Sequence, residues 1–353
     1  MKKEKLQSQV ISFLRFPLCV AVVLIHIRCD TKECFVHPIY DSVNYLFAQI
    51  LTRVAVPLFF MFSGFLFFNR SDEFTLLTYR EKLMKRIRTL LIPYIFWNCT
   101  LILYYLLGRL LGLGSQFGIG FDMVDWFRLF WNGYIPPQKT GYGVASFPVL
   151  EQFWYIRDLM VTILLSPIIF LMIKKCGLYF IIGLAILWIT NSWPLITGLS
   201  IMALFFFSLG AYCSIFKKNF VELLSPHTLF LGIAWLLILI PIFLQRSYCW
   251  TPLRCVGVLL GMAFTISLAA RILSKGKCKT NKFLSESSFF IFAFHMTAFI
   301  VIEDIANFSY RTDMMCTILY FVKSLAIVIL GLTIYYFLRR WLPRFTAIIT
   351  GGR

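Results

Sequence analysis

The chain has 353 residues, of which 59% are hydrophobic, 18% aromatic and only 14% charged. So little polar surface excludes a soluble globule and makes the chain a polytopic membrane protein. The formal charge of +18 sits mostly between apolar runs, so it reads as a topology signal rather than a nucleic-acid surface; it also suits membrane lipids with anionic headgroups or an anionic cytosolic ligand.

Hydrophobicity comes in about ten runs of roughly 17–25 residues, each matching a hydrocarbon core of about 30 Å crossed as a helix. They lie near 10–27, 44–68, 89–112, 153–173, 178–193, 199–216, 228–245, 253–273, 287–306 and 314–338, the run ending near 193 being the shortest. With the N-terminus placed in the cytoplasm, about 22 of the 34 Lys and Arg fall in inner segments and about eight outside. The inner segments are "MKKEK", "RSDEFTLLTYREKLMKRIR", "KK" at 174–175 and 217–218, "RILSKGKCKTNK" and "RRWLPR". That bias fixes topology, so both termini are expected in the cytoplasm. A basic start, with no small-residue cleavage pattern in "IRCDTKECF", predicts that the first helix is retained. With no repeat at a fixed period, the expected architecture is all-α: one integral-membrane domain over 1–353, with no separate soluble domain.

The first run, "SFLRFPLCVAVVLIHIRCD" at 12–30, carries Arg15 and His26. Eleven residues apart, they return to within roughly 20° of one helix face and stand about 16 Å apart along the axis. Arg15 belongs near the cytoplasmic end and His26 near the outer end. A charge in hydrocarbon costs at least about 2.5 kcal/mol and normally faces a bundle interior or a water-filled cavity, so this stripe suits a ligand threaded lengthwise. The alternative is that Arg15 snorkels to the inner interface and His26 caps a helix end.

In the second run, "ILTRVAVPLFFMFSGFLFF", Arg53 lies about nine residues inside the outer end, Pro57 frees a carbonyl, and Ser63-Gly64 permits close approach of another backbone. The third opens with a basic cluster running into a proline, "KRIRTLLIPYIFWN". The long outer segment, about 113–152, is rich in Gly, Pro and aromatics; it reads as a sugar-facing loop or as an interfacial hairpin with Trp and Phe at headgroup level. The fourth run, "EQFWYIRDLMVTILLSP", places Glu151, Trp154, Arg157 and Asp158 at its outer mouth. Arg157 and Asp158, adjacent in sequence, are expected to point in different directions and serve acceptor binding or structural pairing. The ninth, "SSFFIFAFHM", puts His295 near mid-depth, as a polar link between helices or a catalytic group.

The Arg-x10-His spacing of Arg15 and His26, "VPLFFMFSGFLFF" at 56–68, "RIRTLLIPYIFW" at 86–97, "FWYIRDLMVTILLSPIIF" at 153–170 and "SSFFIFAFHM" at 287–296 together resemble the acyltransferase-3 family of bacterial membrane O-acyltransferases. The resemblance runs in order along essentially the whole chain. It implies a ten-helix, multi-pass bundle in the cell inner membrane. Such a protein takes an acyl group, commonly acetyl, from cytoplasmic acyl-CoA and delivers it to a hydroxyl of a cell-envelope or exported glycan. Some members carry an extra periplasmic hydrolase-like domain; this chain resembles the stand-alone type. Many members have Arg-x-x-Arg before the proline, whereas "KRIR" here offers Lys85, Arg86 and Arg88 to the CoA phosphates.

Residue chemistry and resemblance meet on one mechanism. Lys85, Arg86 and Arg88, with Arg15 just inside, suit charge-assisted contacts to phosphate, and the pantetheine arm can rise along the Arg15–His26 face. His26 acts as general base on the acceptor hydroxyl. Arg53, Ser63 or the backbone N–H near Gly64 are candidate donors to the tetrahedral oxyanion. Glu151, Trp154, Arg157, Asp158 and His295 are candidates for holding the acceptor, a glycan or lipid-linked saccharide. No metal is expected. "HIRCDTKECFVH" sets out His26, Cys29, Cys34 and His37, but not at the spacing of a known zinc knuckle; Cys29 and Cys34 face an oxidising side and can form a disulfide. One rival reading is a glycolipid or polysaccharide transporter or flippase, which often shows inverted repeats and has no need of a CoA-sized basic inner mouth; the other is a structural or sensory membrane protein, which does not need aligned polar residues at two depths.

Overall fold

A computed structural model describes residues 2–28, 37–69, 74–111, 123–133, 146–246, 251–276, 278–306 and 312–352. These are helices and their connections, with no extended strand among the described residues. In chain order the helices are α1 (Lys2–His26), α2 (Pro38–Phe68), α3 (Leu76–Gly108), α4 (Met123–Trp131), α5 (Trp154–Leu164), α6 (Ser166–Cys176), α7 (Leu178–Ile189), α8 (Ile201–Ile215), α9 (Phe220–Gln245), α10 (Pro252–Ser274), α11 (Lys282–Ala306), α12 (Asp313–Trp341) and α13 (Pro343–Thr350).

Seven of these, α1, α2, α3, α9, α10, α11 and α12, are long and apolar enough to cross a membrane; the stretch from Glu151 through α5 and α6 makes an eighth if the pair is one span bent by 64°. α7 and α8 are apolar but shorter. Each of the ten apolar runs coincides with one of these helices or with the bent pair, and the chain is a multi-pass, all-α membrane protein.

Two local features differ from the sequence reading. The basic segment taken as an inner loop is helical from Leu76: no Gly or Pro interrupts 76–92, and the Thr75 hydroxyl caps the start by accepting the N–H of Thr78 at 3.2 Å. The fourth run breaks at Leu165, where Ser166-Pro167 starts a new helix because proline cannot donate to the preceding turn.

α1 runs between α2, α10, α11 and α12. Cys19 donates to the carbonyl of Ser288 on α11 at 3.1 Å, and Tyr320 of α12 donates to the carbonyl of Leu24 at 2.8 Å. The helix bearing Arg15 and His26 is therefore fixed in both rotation and depth. α2 and α8 approach most closely. A Cβ on Gly64 would stand 2.0 Å from the Phe207 carbonyl oxygen, and one on Gly210 would stand 1.9 Å from that of Met61, so the close approach expected at Gly64 is what the backbone adopts.

Candidate active site

Arg15 and His26 open on two different cavities. The His26 cavity, of about 370 Å³, is lined by His26 and Arg28 at the end of the first helix, by Asn44, Gln49 and Arg53 of α2, and by Phe147, Glu151 and Trp154. The Arg15 cavity, of about 160 Å³, is lined by Arg15, by Ser63 of α2, Arg86 of α3, Tyr155 of α5, and Ser285 and Ser288 of α11. Neighbours on one helix serve opposite cavities: Pro57 and Trp154 face His26, while Phe59 and Tyr155 face Arg15.

The two chambers differ in charge. Two guanidinium groups and no carboxylate line the Arg15 cavity, a lining whose chemistry suits an anion with planar oxygens. Ser63 Oγ lies 3.2 Å from the Tyr155 hydroxyl there, so Ser63 stands with Arg15 rather than with His26. Arg53 stands with His26 and donates to Gln49 Oε1. Arg28 and Glu151 are 4.0 Å apart at the rim. A π-helical turn over Tyr45–Ile50 followed by a 3₁₀ turn over Leu51–Val54 shifts the register of α2; Asn44, Gln49 and Arg53 share a cavity on that irregular stretch.

His26 faces a second histidine. The His26 and His295 rings have centroids 5.4 Å apart, inclined at 46°. His295 is fully buried and does not line the His26 cavity. Its Nδ1 lies 2.7 Å from the Phe292 carbonyl oxygen and 3.3 Å from that of Ile291. Carbonyl oxygens only accept, so Nδ1 carries the hydrogen and Nε2 the lone pair. Nε2 has no hydrogen-bond partner among the described residues.

The expectation that Arg157 and Asp158 diverge is corrected. Arg157 folds back so that Nε and Nη2 donate to Asp158 Oδ1 at 3.1 and 3.0 Å, both residues being fully buried. Arg157 also donates to the carbonyls of Trp131 at 2.6 Å and Ser146 at 3.0 Å, and Asp158 Oδ2 accepts the N–H of Ser200 at 3.1 Å. A long, flexible arginine overrides the 100° offset between sequence neighbours, and burial selects the pairing. The pair ties the end of α4, the approach to α5 and the start of α8 together, and so sets Phe147 and Glu151 at the mouth of the His26 cavity.

Helix geometry also divides "KRIR". Arg86 turns into the Arg15 cavity; Lys85 and Arg88, three residues apart and exposed, line a separate groove of about 700 Å³ with Arg80 and the Gly351-Gly352 turn after α13. Asn44, Gln49, Tyr155, Ser285 and Ser288 escaped the sequence reading; Ser285 and Ser288, three residues apart in "SESS", carried a helical-spacing signal, whereas Asn44 and Gln49, five residues apart, reach one cavity across the π-helical turn. Cys29 and Cys34, and with them the expected disulfide and the two cysteines of the His26–Cys29–Cys34–His37 layout, lie outside the described residues, as do 112–122 and 134–145 of the long loop. Among the described residues no group of three or more His, Cys, Asp or Glu could hold a metal ion.

The acyltransferase-3 family model, described as an acyltransferase domain, matches residues 9–340. The chain is 25% identical over 368 residues to the succinoglycan biosynthesis protein ExoH of Rhizobium meliloti (strain 1021), an alignment spanning 98% of this chain and 92% of that protein. No solved structure matches. A match that takes in the whole bundle around α1 and both cavities means that the chain belongs to the acyltransferase-3 family and is a multi-pass membrane acyltransferase.

Proposed function

We propose that the protein transfers an acyl group, acetyl in the first instance, from cytoplasmic acyl-CoA to a hydroxyl of a cell-envelope or exported polysaccharide, across the inner membrane and with both termini in the cytoplasm. The observation that carries this reading is the placement of an arginine-lined cavity and a histidine-lined cavity at two depths of one helix, α1. The relative named for succinoglycan biosynthesis supports a polysaccharide acceptor, and the excess of basic residues on one side supports the orientation.

On this reading the nucleotide end of the donor lies against Lys85 and Arg88, whose exposed positions suit phosphate. Arg86 and Arg15 draw the remaining anionic part into the bundle, and the pantetheine arm follows α1 toward His26. The acceptor sugar enters from the opposite side, between Trp154, Glu151 and Gln49. His26 takes the proton of the acceptor hydroxyl as its oxygen attacks the thioester carbonyl carbon. Arg53, facing the same cavity, donates to the oxyanion. Collapse expels the CoA thiolate, which takes the proton from His26; ester and free CoA leave on opposite sides.

Proton NMR of surface glycans from cells with and without the gene tests the assignment. Loss of an O-acyl resonance with the glycan otherwise intact is expected. Loss of the glycan from the surface, with its acylation unchanged where it is retained inside, identifies a transporter instead.

A further inference from the structure

His295 is a buried polar group that the proposed chemistry leaves unused. Its Nδ1 turns back onto the carbonyls of its own helix, at 2.7 Å from Phe292 and 3.3 Å from Ile291, so the far nitrogen, Nε2, points away from α11. That nitrogen carries a lone pair, is fully buried and has no hydrogen-bond partner among the described residues. A buried acceptor left unpaired is costly. The ring that faces it is His26, at 5.4 Å between centroids, close enough for a donor–acceptor contact closed directly or through one water.

We propose that His295 is a positioning residue for His26: it accepts the ring N–H of His26 and so holds that imidazole in the tautomer whose lone pair faces the His26 cavity. The inference rests on His26 acting as the proton acceptor in acyl transfer. Backbone carbonyls fix the tautomer of His295, which fixes that of His26, and the proton of the acceptor hydroxyl goes to the cavity-side nitrogen. When His26 is doubly protonated, its second N–H already has an acceptor. The roles parallel those of an orienting group behind a catalytic histidine, with a neutral imidazole in place of a carboxylate.

The test is nitrogen NMR of histidine-labelled full-length protein in lipid nanodiscs, where His26, His37, His227 and His295 are the only histidines and single substitutions assign them. Wild-type protein should show His295 neutral with hydrogen on Nδ1 and His26 as one dominant tautomer. His295→Phe keeps a ring but no lone pair; His26 should become a tautomer mixture, and kcat should fall roughly 10- to 100-fold, the range for an orienting partner of a functional histidine, with KM for donor and acceptor unchanged. His295→Gln, whose amide oxygen accepts, should restore the single tautomer and most of the turnover. An unchanged His26 spectrum in folded His295→Phe overturns the proposal, as does equal behaviour of the Phe and Gln variants. If His295→Phe does not fold, a His26 tautomer mixture in His295→Gln overturns it. Wild-type turnover by His26→Gln defeats the reading of His26 as base while leaving the tautomer result standing, so the two failures are distinguishable.

Discussion

Replacing Gly64 by alanine tests the packing that aligns the two cavities. The new Cβ would sit 2.0 Å from the Phe207 oxygen, 2.8 Å from its carbonyl carbon and 3.0 Å from its Cα. These are backbone atoms on a neighbouring helix, so no side chain can swing aside. Relaxing 2.0 Å to an ordinary contact moves α2 and α8 apart by more than 1 Å. Overpacking of this kind costs about 1–3 kcal/mol, a roughly 5- to 150-fold loss in the folded ratio at about 1.4 kcal/mol per tenfold. The displacement is transmitted to chemistry, because α2 carries Ser63 into one cavity and Pro57 into the other while α8 carries Met202. Gly64→Ala and Gly210→Ala, whose Cβ would meet the Met61 oxygen at 1.9 Å, should both lower the thermal unfolding midpoint in detergent by several degrees. Gly183→Ala is the control: nothing lies within 4 Å of its Cβ, and alanine favours helix over glycine by about 1 kcal/mol, so it should be neutral or slightly stabilising. Equal midpoints for all three variants would refute the close approach of α2 and α8.

Other outcomes follow from the placement of charge. Arg157→Met leaves the Asp158 carboxylate buried and unpaired, and should cost about 3–5 kcal/mol by thermal or chemical unfolding, most of it recovered by removing Asp158 as well. Lys85→Ala with Arg88→Ala should raise the acyl-CoA KM in a manner that fades at high salt, because those side chains are exposed. Arg86→Ala should raise it with little salt dependence, and Arg15→Lys should rescue Arg15→Ala poorly because an ammonium lacks the planar fork. Single-cysteine labels at 70–88 and 274–282 should react from the cytoplasmic side only and those at 113–150 from the outer side; the reverse pattern overturns the proposed route of the donor.

Length and apolarity are local properties, so every apolar run was legible as a helix or a bent pair, including the weak one that becomes α7; α7 and α8 are shorter than the seven helices long enough to cross a membrane. That Arg15 and His26 share one helix was legible too; that they open on two different cavities was not. What could not be read depends on neighbours distant in sequence. The division of Ser63 and Arg53 between two cavities depends on how α2 meets α1 and α5. The pairing of Arg157 with Asp158 depends on a rotamer selected by burial, since exposed neighbours on a helix do splay apart. His295 reaches His26 only because Ser288 and Cys19 bring α11 against α1. The resemblance to the family supplied the chemistry; the structure divided the candidate residues between two cavities.

The most direct measurement of the central claim is transfer in oriented proteoliposomes, with acetyl-CoA labelled in its acetyl group on the face bearing Lys85 and Arg88 and polysaccharide acceptor on the face of the His26 cavity. Label should appear in the glycan as an ester. His26→Gln should bind the donor normally and lose roughly 10²–10⁴-fold in turnover, the usual worth of a general base. Transfer at the wild-type rate by correctly inserted His26→Gln, or labelled glycan formed only when both substrates share one face, contradicts the account.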